Sequence, residues 1–261
     1  MKYKNFSAII LITSFCSLAS AENEIFVNGF EMAPVVLTKF NLNDTGIDWA
    51  QNSPPSGSMT CVSNISADQD CHQGRDADPR TNSNADGHAG FSFTKLDING
   101  NPLSSNATSW ACVKDNVTQL VWEVKTDSAG VHNRGNVYQW GGLTAIGREH
   151  PGRKGTYFDP SWNSLVTNSN DNNFCGFSNW RLPTVAELTS ILNHSRQVRF
   201  SSIPTIDMDY FPNTMGSGYW TASPHLGGEG TIARMVSFNT GRDLFSLRSD
   251  SRLVRLVRTD P

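Results

Sequence analysis

Arginine is the residue type whose spacing most invites chemistry in this chain. From Ile232 to Pro261 stand six arginines, at 234, 242, 248, 252, 255 and 258, against three aspartates, a local charge of +3. Guanidinium forks match sulfate and carboxylate oxygens in pairs, which suits an acidic polysaccharide better than a neutral sugar. In RSDSRLVRLVR (248–258), Leu253, Val254, Leu256 and Val257 supply the apolar content of a closing strand. Strand alternation places Arg252 and Arg258 on one face and Arg255 on the other. The expectation is an exposed anion-binding strip of Arg242, Arg248 and Arg252, with Arg255 and Arg258 anchoring the strand internally. Tyr138, Trp140 and Tyr219 stand close to glycines, which leaves their rings open as ligand-binding residues beside that strip. A plainer reading competes: residues 22–132 hold 14 acids and six bases, so the two ends can simply neutralise one another.

Other chemistries find little support. There is no G-x-S-x-G elbow, no H-E-x-x-H, no P-loop and no dinucleotide fingerprint, so no catalytic residues are assigned. The six histidines are scattered without metal-ligand spacing, and no C-x-x-C pair occurs, so no metal ligands are assigned either. Asn82, Asn84, Asp86 and Gly87 match the first half of a calcium loop, but its twelfth position is Phe93, where a bidentate Glu is required. No cofactor is expected; calcium held by another arrangement of oxygens between Asp68 and Gly87 is the alternative to a solvated, turn-rich loop.

Lys2 and Lys4 precede an apolar run, Ala8 to Leu18, and then Ala19-Ser20-Ala21, the pattern of a secretory signal peptide over residues 1–21. The run is too short for a stable membrane anchor. The expected location is therefore secreted, periplasmic or at the cell surface, with no transmembrane segment. Removing two lysines leaves 19 basic against 24 acidic residues, a balance that opposes nucleic-acid binding. Four cysteines remain, Cys61, Cys71, Cys112 and Cys175. An even number in an exported chain implies disulfides, with three pairings open. Among these, Cys61–Cys71 closes a local loop and Cys112–Cys175 ties distant blocks together.

The elements that must position these residues centre on FCGFSNWRLPTVAELTSILNHS, residues 174–195. Thr184 and Glu187 form the S/T-x-x-E capping box of a helix whose inward face is Val185, Leu188, Ile191 and Leu192. Trp180 and Leu182 point into the core while Arg181 turns the other way, into an ion pair or a carbonyl-binding fork, with direct ligand contact as the alternative. Asp159-Pro160 starts a second helix with Trp162, Leu165, Val166 and Ser169 inward. Strands are expected at Phe91–Leu96, on both sides of a turn at 114–116, and in four antiparallel runs from Tyr219 onward. Residues 22–58 read as a strand and linker extension to a main domain over 59–261. Trp122, Trp180 and Trp220 are expected in the core.

WRLPTVAEL (180–188) resembles the WRLPT-x-x-EL signature of the Lcl C-terminal-domain family, named from a bacterial collagen-like surface adhesin. Four further blocks follow the family's order: WACVKDNVTQLVWEVKT (110–126), YQW (138–140), YWTASP (219–224) and VRLVR (254–258). The similarity runs roughly from Phe91 to Arg258. The RLPT-x-x-E step is also similar to formylglycine-generating-enzyme-like domains, which implies an α+β, C-type-lectin-like domain with two short helices, antiparallel strands and long irregular loops, stapled by disulfides. No cysteine follows Cys175, so the catalytic cysteine pair of those enzymes is missing. The resemblance implies an exported binding or adhesin-type module rather than an enzyme, with an acidic or sulfated glycan or another surface polymer as partner. A cell-envelope hydrolase and an interaction subunit of an envelope complex are the alternatives.

Overall fold

The computed structural model describes residues 42–51, 58–61, 68–146, 162–196, 203–225 and 230–259. The expected signal peptide, the strand near Glu24, most of the 52–58 linker and the helix start at Asp159-Pro160 lie outside these residues. Among them, no helix is long and apolar enough to cross a membrane.

Among the described residues, three antiparallel sheets carry the α+β architecture. A two-stranded sheet pairs β1 (Trp49–Gln51) with β2 (Ser58–Thr60). A short α1 (Gly74–Ala77) follows. The first larger sheet contains β3 (Phe93–Leu96), β4 (Cys112–Asp115) and β5 (Leu120–Glu123), and it is closed by β9 (Val257–Thr259) from the far end of the chain. At the β4–β5 turn, Asp115 accepts hydrogen bonds from the backbone N–H groups of Val117 and Thr118, a local Asx-type turn. Two helices come next, α2 (Asn163–Asp171) and α3 (Val185–Thr189). The second larger sheet is the meander β6 (Gly218–Pro224), β7 (Ile232–Ser237) and β8 (Arg242–Leu247), with β8 at its edge.

The meander separates two apolar cores. Strand alternation sends Tyr219 and Val236 into one, with Trp122, Leu188, Ile191 and Phe238. It sends Trp220 and Ala233 into the other, with Trp140, Trp162, Leu165, Val166, Trp180 and Leu182. Both faces of β6 are therefore covered. In α2 the buried residues are Leu165, Val166 and Ser169, as the 3.6-residue period dictates.

Two disulfides join Cys61 to Cys71 and Cys112 to Cys175. The second spans 63 residues and contributes about 4 kcal/mol in the chain-entropy model. Both fit a protein of an oxidising, extracellular type of compartment.

The expected fourth strand of the final meander takes a different course. Arg252 bridges to Tyr138 and Leu253 to Tyr219, and the chain then leaves this sheet to pair Val257 with Trp122. The run RLVRLVR thus stitches the two larger sheets together instead of extending one of them.

Candidate functional site

The RLPT step is a framework. Arg181 donates from both terminal nitrogens to Glu187, at 2.8 and 2.6 Å, and reaches Thr259 Oγ1 at 3.2 Å. Glu187 also accepts from the Thr184 N–H, while Thr184 Oγ1 accepts from the Glu187 N–H, which completes the capping box. Burial pushes the Glu187 carboxyl up, but the hydrogen bonds and charge of Arg181 outweigh it and hold the group below its ordinary value. Trp180 is buried and donates to the Phe174 carbonyl, next to the Cys175 disulfide. These residues position one another.

The expected ring platform does not form. Tyr138 is 7% exposed, and Trp140 and Tyr219 are fully buried. Tyr219 lies on β6, whose two faces are both covered. Its hydroxyl accepts from the Met215 N–H, and its ring meets Phe238 edge-on. Trp140 donates to the Thr221 carbonyl and packs edge-on against Trp162. The neighbouring glycine serves packing: a Cβ at Gly142 would stand 2.7 Å from the Trp162 ring. It brings an aromatic close instead of uncovering one.

The expected strip is also reduced. Arg248 is 1% exposed, with its guanidinium 4.1 Å from the Trp140 ring. It lies one residue past β8, so six residues, about 20 Å of strand, separate it from Arg242. Arg255 and Arg258 are internal. Arg255 donates to the Glu123 carbonyl and to Thr214 Oγ1, while Arg258 stacks on Phe177 at 3.7 Å.

Arg242 is exposed and Arg252 half-buried. Gly218, Ser237 and Arg242 form one row across the meander, so they share a face. Arg252 crosses that face at Gly218, where an added Cβ would meet its Cδ at 3.5 Å. Its Nη2 donates to Ser246 Oγ at 2.8 Å and to Asp250 at 3.2 Å, with 35% of the side chain exposed. Leu244, between Arg242 and Ser246 on β8, belongs to the same face. Beyond the backbone bridge from Arg252 to Tyr138 lies an open depression of about 360 Å³, lined by Gly130, Val131, Asn136, Val137, Tyr138 and Ser164. The opposite face of β8 exposes Phe245 and Leu247, with the His225 ring 4.9 Å from that of Phe245. Adjacent Leu244 and Phe245 in RDLFSL must lie on opposite faces, which is the sequence signal for an edge strand apolar on both sides.

A buried cluster of charges centres on Glu123. This residue lies alternate to Val121 on β5, accepts from Lys125 and from the Leu256 N–H at 2.8 Å, and meets His132 Nδ1 at 2.8 Å. Burial alone would raise its carboxyl; Lys125 and His132 overcome this and hold it at about 2. Glu123 and Lys125 are buried and His132 is half-buried, and the bond to the Leu256 N–H fastens β5 to the closing segment.

A serine, a histidine and an aspartate do meet. Ser195 Oγ is 3.0 Å from His88 Nε2, and Asp48 is 3.7 Å from that same nitrogen. A catalytic relay needs the carboxylate on the opposite ring nitrogen, so this contact does not make a hydrolase triad. Asn84 and Asp86 serve their own loop, accepting from the Ala89 N–H and the Ser92 hydroxyl. Cys61, Cys71 and His72 come together with metal-like proximity, but both sulfurs are spent in a disulfide.

The sequence pattern of the Lcl C-terminal domain matches residues 111–258, more than half of the chain. The chain belongs to that family, whose domain is an adhesin-like module. No match is found among curated proteins or among solved structures.

Proposed function

We propose that this chain is an exported, non-enzymatic binding module of adhesin type, and that it holds acidic or sulfated glycan chains at Arg242 and Arg252. The observation that carries this reading is the sorting of the carboxy-terminal arginines. Arg248, Arg255 and Arg258 are internal, whereas Arg242 and Arg252 stand on one face of the meander with Leu244 between them. Arginine forks there would take sulfate or carboxylate oxygens in pairs, and the neighbouring depression offers room for the sugar rings. We read the fold as C-type-lectin-like. The RLPT-x-x-E step and the return of the terminal strand to β5 support that reading.

Binding to an immobilised heparin-type polymer tests the function. The parent should bind, and added salt should weaken binding, because exposed charge pairs are screened. The double variant Arg242→Ser/Arg252→Ser should lose binding with its melting temperature nearly unchanged. Equal binding by parent and double variant, or binding by neither, overturns the reading. Arg248 is left intact in this test because its removal would open the packing around Trp140.

A further inference from the structure

Outside the family-matched region, three carboxylates converge. Asp44, Asp70 and Asp76 each offer one oxygen within 4.8 Å of the other two. None of them makes an ion pair with a Lys, Arg or His among the described residues. Asp44 is held in place by the backbone N–H groups of Arg75 and Asp76, and Asp70 by the Thr45 hydroxyl. Gly74, at φ +77°, makes the approach feasible, since a Cβ there would collide with Asp44 Oδ2. Asp76 differs from both neighbours. It is 8% exposed, and neither carboxyl oxygen makes a well-formed hydrogen bond, the Ala77 N–H offsetting its burial only in small part.

A buried carboxylate without partners is costly, and two like charges at its side add to the cost. Burial first, then the charges of Asp44 and Asp70, push the Asp76 carboxyl up to about 7. A bound divalent cation removes both penalties at once.

We propose that Asp44, Asp70 and Asp76 form a binding site for a calcium-type divalent cation. The donor set is oxygen only, which suits a hard cation and not zinc. Calcium–oxygen distances of about 2.3–2.6 Å let two ligands of one ion stand up to about 5 Å apart, which accommodates the observed spacing. With three protein carboxylates, the remaining positions fall to water and backbone oxygens. Extracellular calcium modules bind at about 10⁻⁴–10⁻³ M, the range an exported protein meets. The bound ion would join the 42–48 segment to the turn that carries the Cys61–Cys71 disulfide. The site is separate from the Arg242–Arg252 face, and its test does not depend on glycan binding.

The test uses the full exported chain, stripped with a chelator and then titrated with calcium chloride by calorimetry and by thermal melting. One calcium per chain and a rise of a few degrees in melting temperature are expected for the parent. Asp76→Asn should lose both responses, and its metal-free form should melt at or above the metal-free parent, because one of three crowded charges has gone. Asp70→Asn, at a more exposed position, should weaken binding at least tenfold and confirm that the response is local. A parent that shows neither heat nor melting shift with millimolar calcium overturns the proposal. So do variants that respond as the parent does.

Discussion

Glu123 and Asp76 are both acids withdrawn from water, and their surroundings differ in every respect that sets the charge of a carboxyl. Glu123 is fully enclosed, yet an ammonium, an imidazole and a backbone N–H all address it, and its carboxyl stays at about 2. Asp76 is slightly less enclosed, faces two other acids and is pushed up to about 7. The Glu123 cluster therefore balances its charge with residues of the matched domain itself. Around Asp76 the described residues bring two further carboxylates and no ion-pairing side chain. The absolute degree of burial predicts neither outcome; the sign and hydrogen-bonding capacity of the neighbours does.

The comparison breaks most severely at Glu123. Glu123→Ala strands Lys125 in the interior and should cost about 3–5 kcal/mol, read by chemical denaturation. Acid offers a milder probe of the same group. Its folded value is depressed, so its stabilising contribution is complete above the ordinary value of 4.5 and disappears as the pH falls through about 2. Melting curves between those limits should show this loss in the parent and a reduced loss in a folded Glu123→Gln protein.

A half-buried acid sharpens the contrast. Glu187→Ala removes two charged hydrogen bonds to Arg181 along with one side of the capping box, and should cost about 1–3 kcal/mol. Thr184→Ala removes the cap alone and should cost about 0.5–2 kcal/mol, the smaller effect of the two. Equal melting temperatures for the two variants would show that the Arg181 pair contributes nothing measurable.

That ordering shows how far the sequence could be read. The capping box depends on residues three apart, and the alternation of Trp180, Arg181 and Leu182 on adjacent ones; both are local and visible. The second role of Glu187 depends on Arg181 turning back across six residues, so the box alone makes Thr184 look dominant. Longer separations hide more. Period-2 alternation separates the two faces of β6 but does not reveal that both are covered. Tyr219 is internal for that reason. Arg248 belongs to the interior because the Trp140 N–H bonds its carbonyl across more than a hundred residues. The closing run looks like one strand because its partners, Tyr138, Tyr219 and Trp122, lie in three separate parts of the chain, all far from it in sequence. The acids at 44, 70 and 76 are too far apart in sequence to form any recognisable motif, and Asp70 and Asp76 sit where turn formers dominate.

The pairing of the cysteines carries a consequence for biogenesis. Cys61 joins the next cysteine along the chain, and Cys112 joins the one after it, so the two loops neither cross nor nest. A polypeptide threaded amino end first into an oxidising compartment presents its thiols in that same order. Oxidising each pair as it emerges yields only native bonds, and the slow reshuffling that interleaved pairings demand becomes unnecessary. Such a chain should mature without help from a disulfide isomerase, needing only an oxidant at the exit.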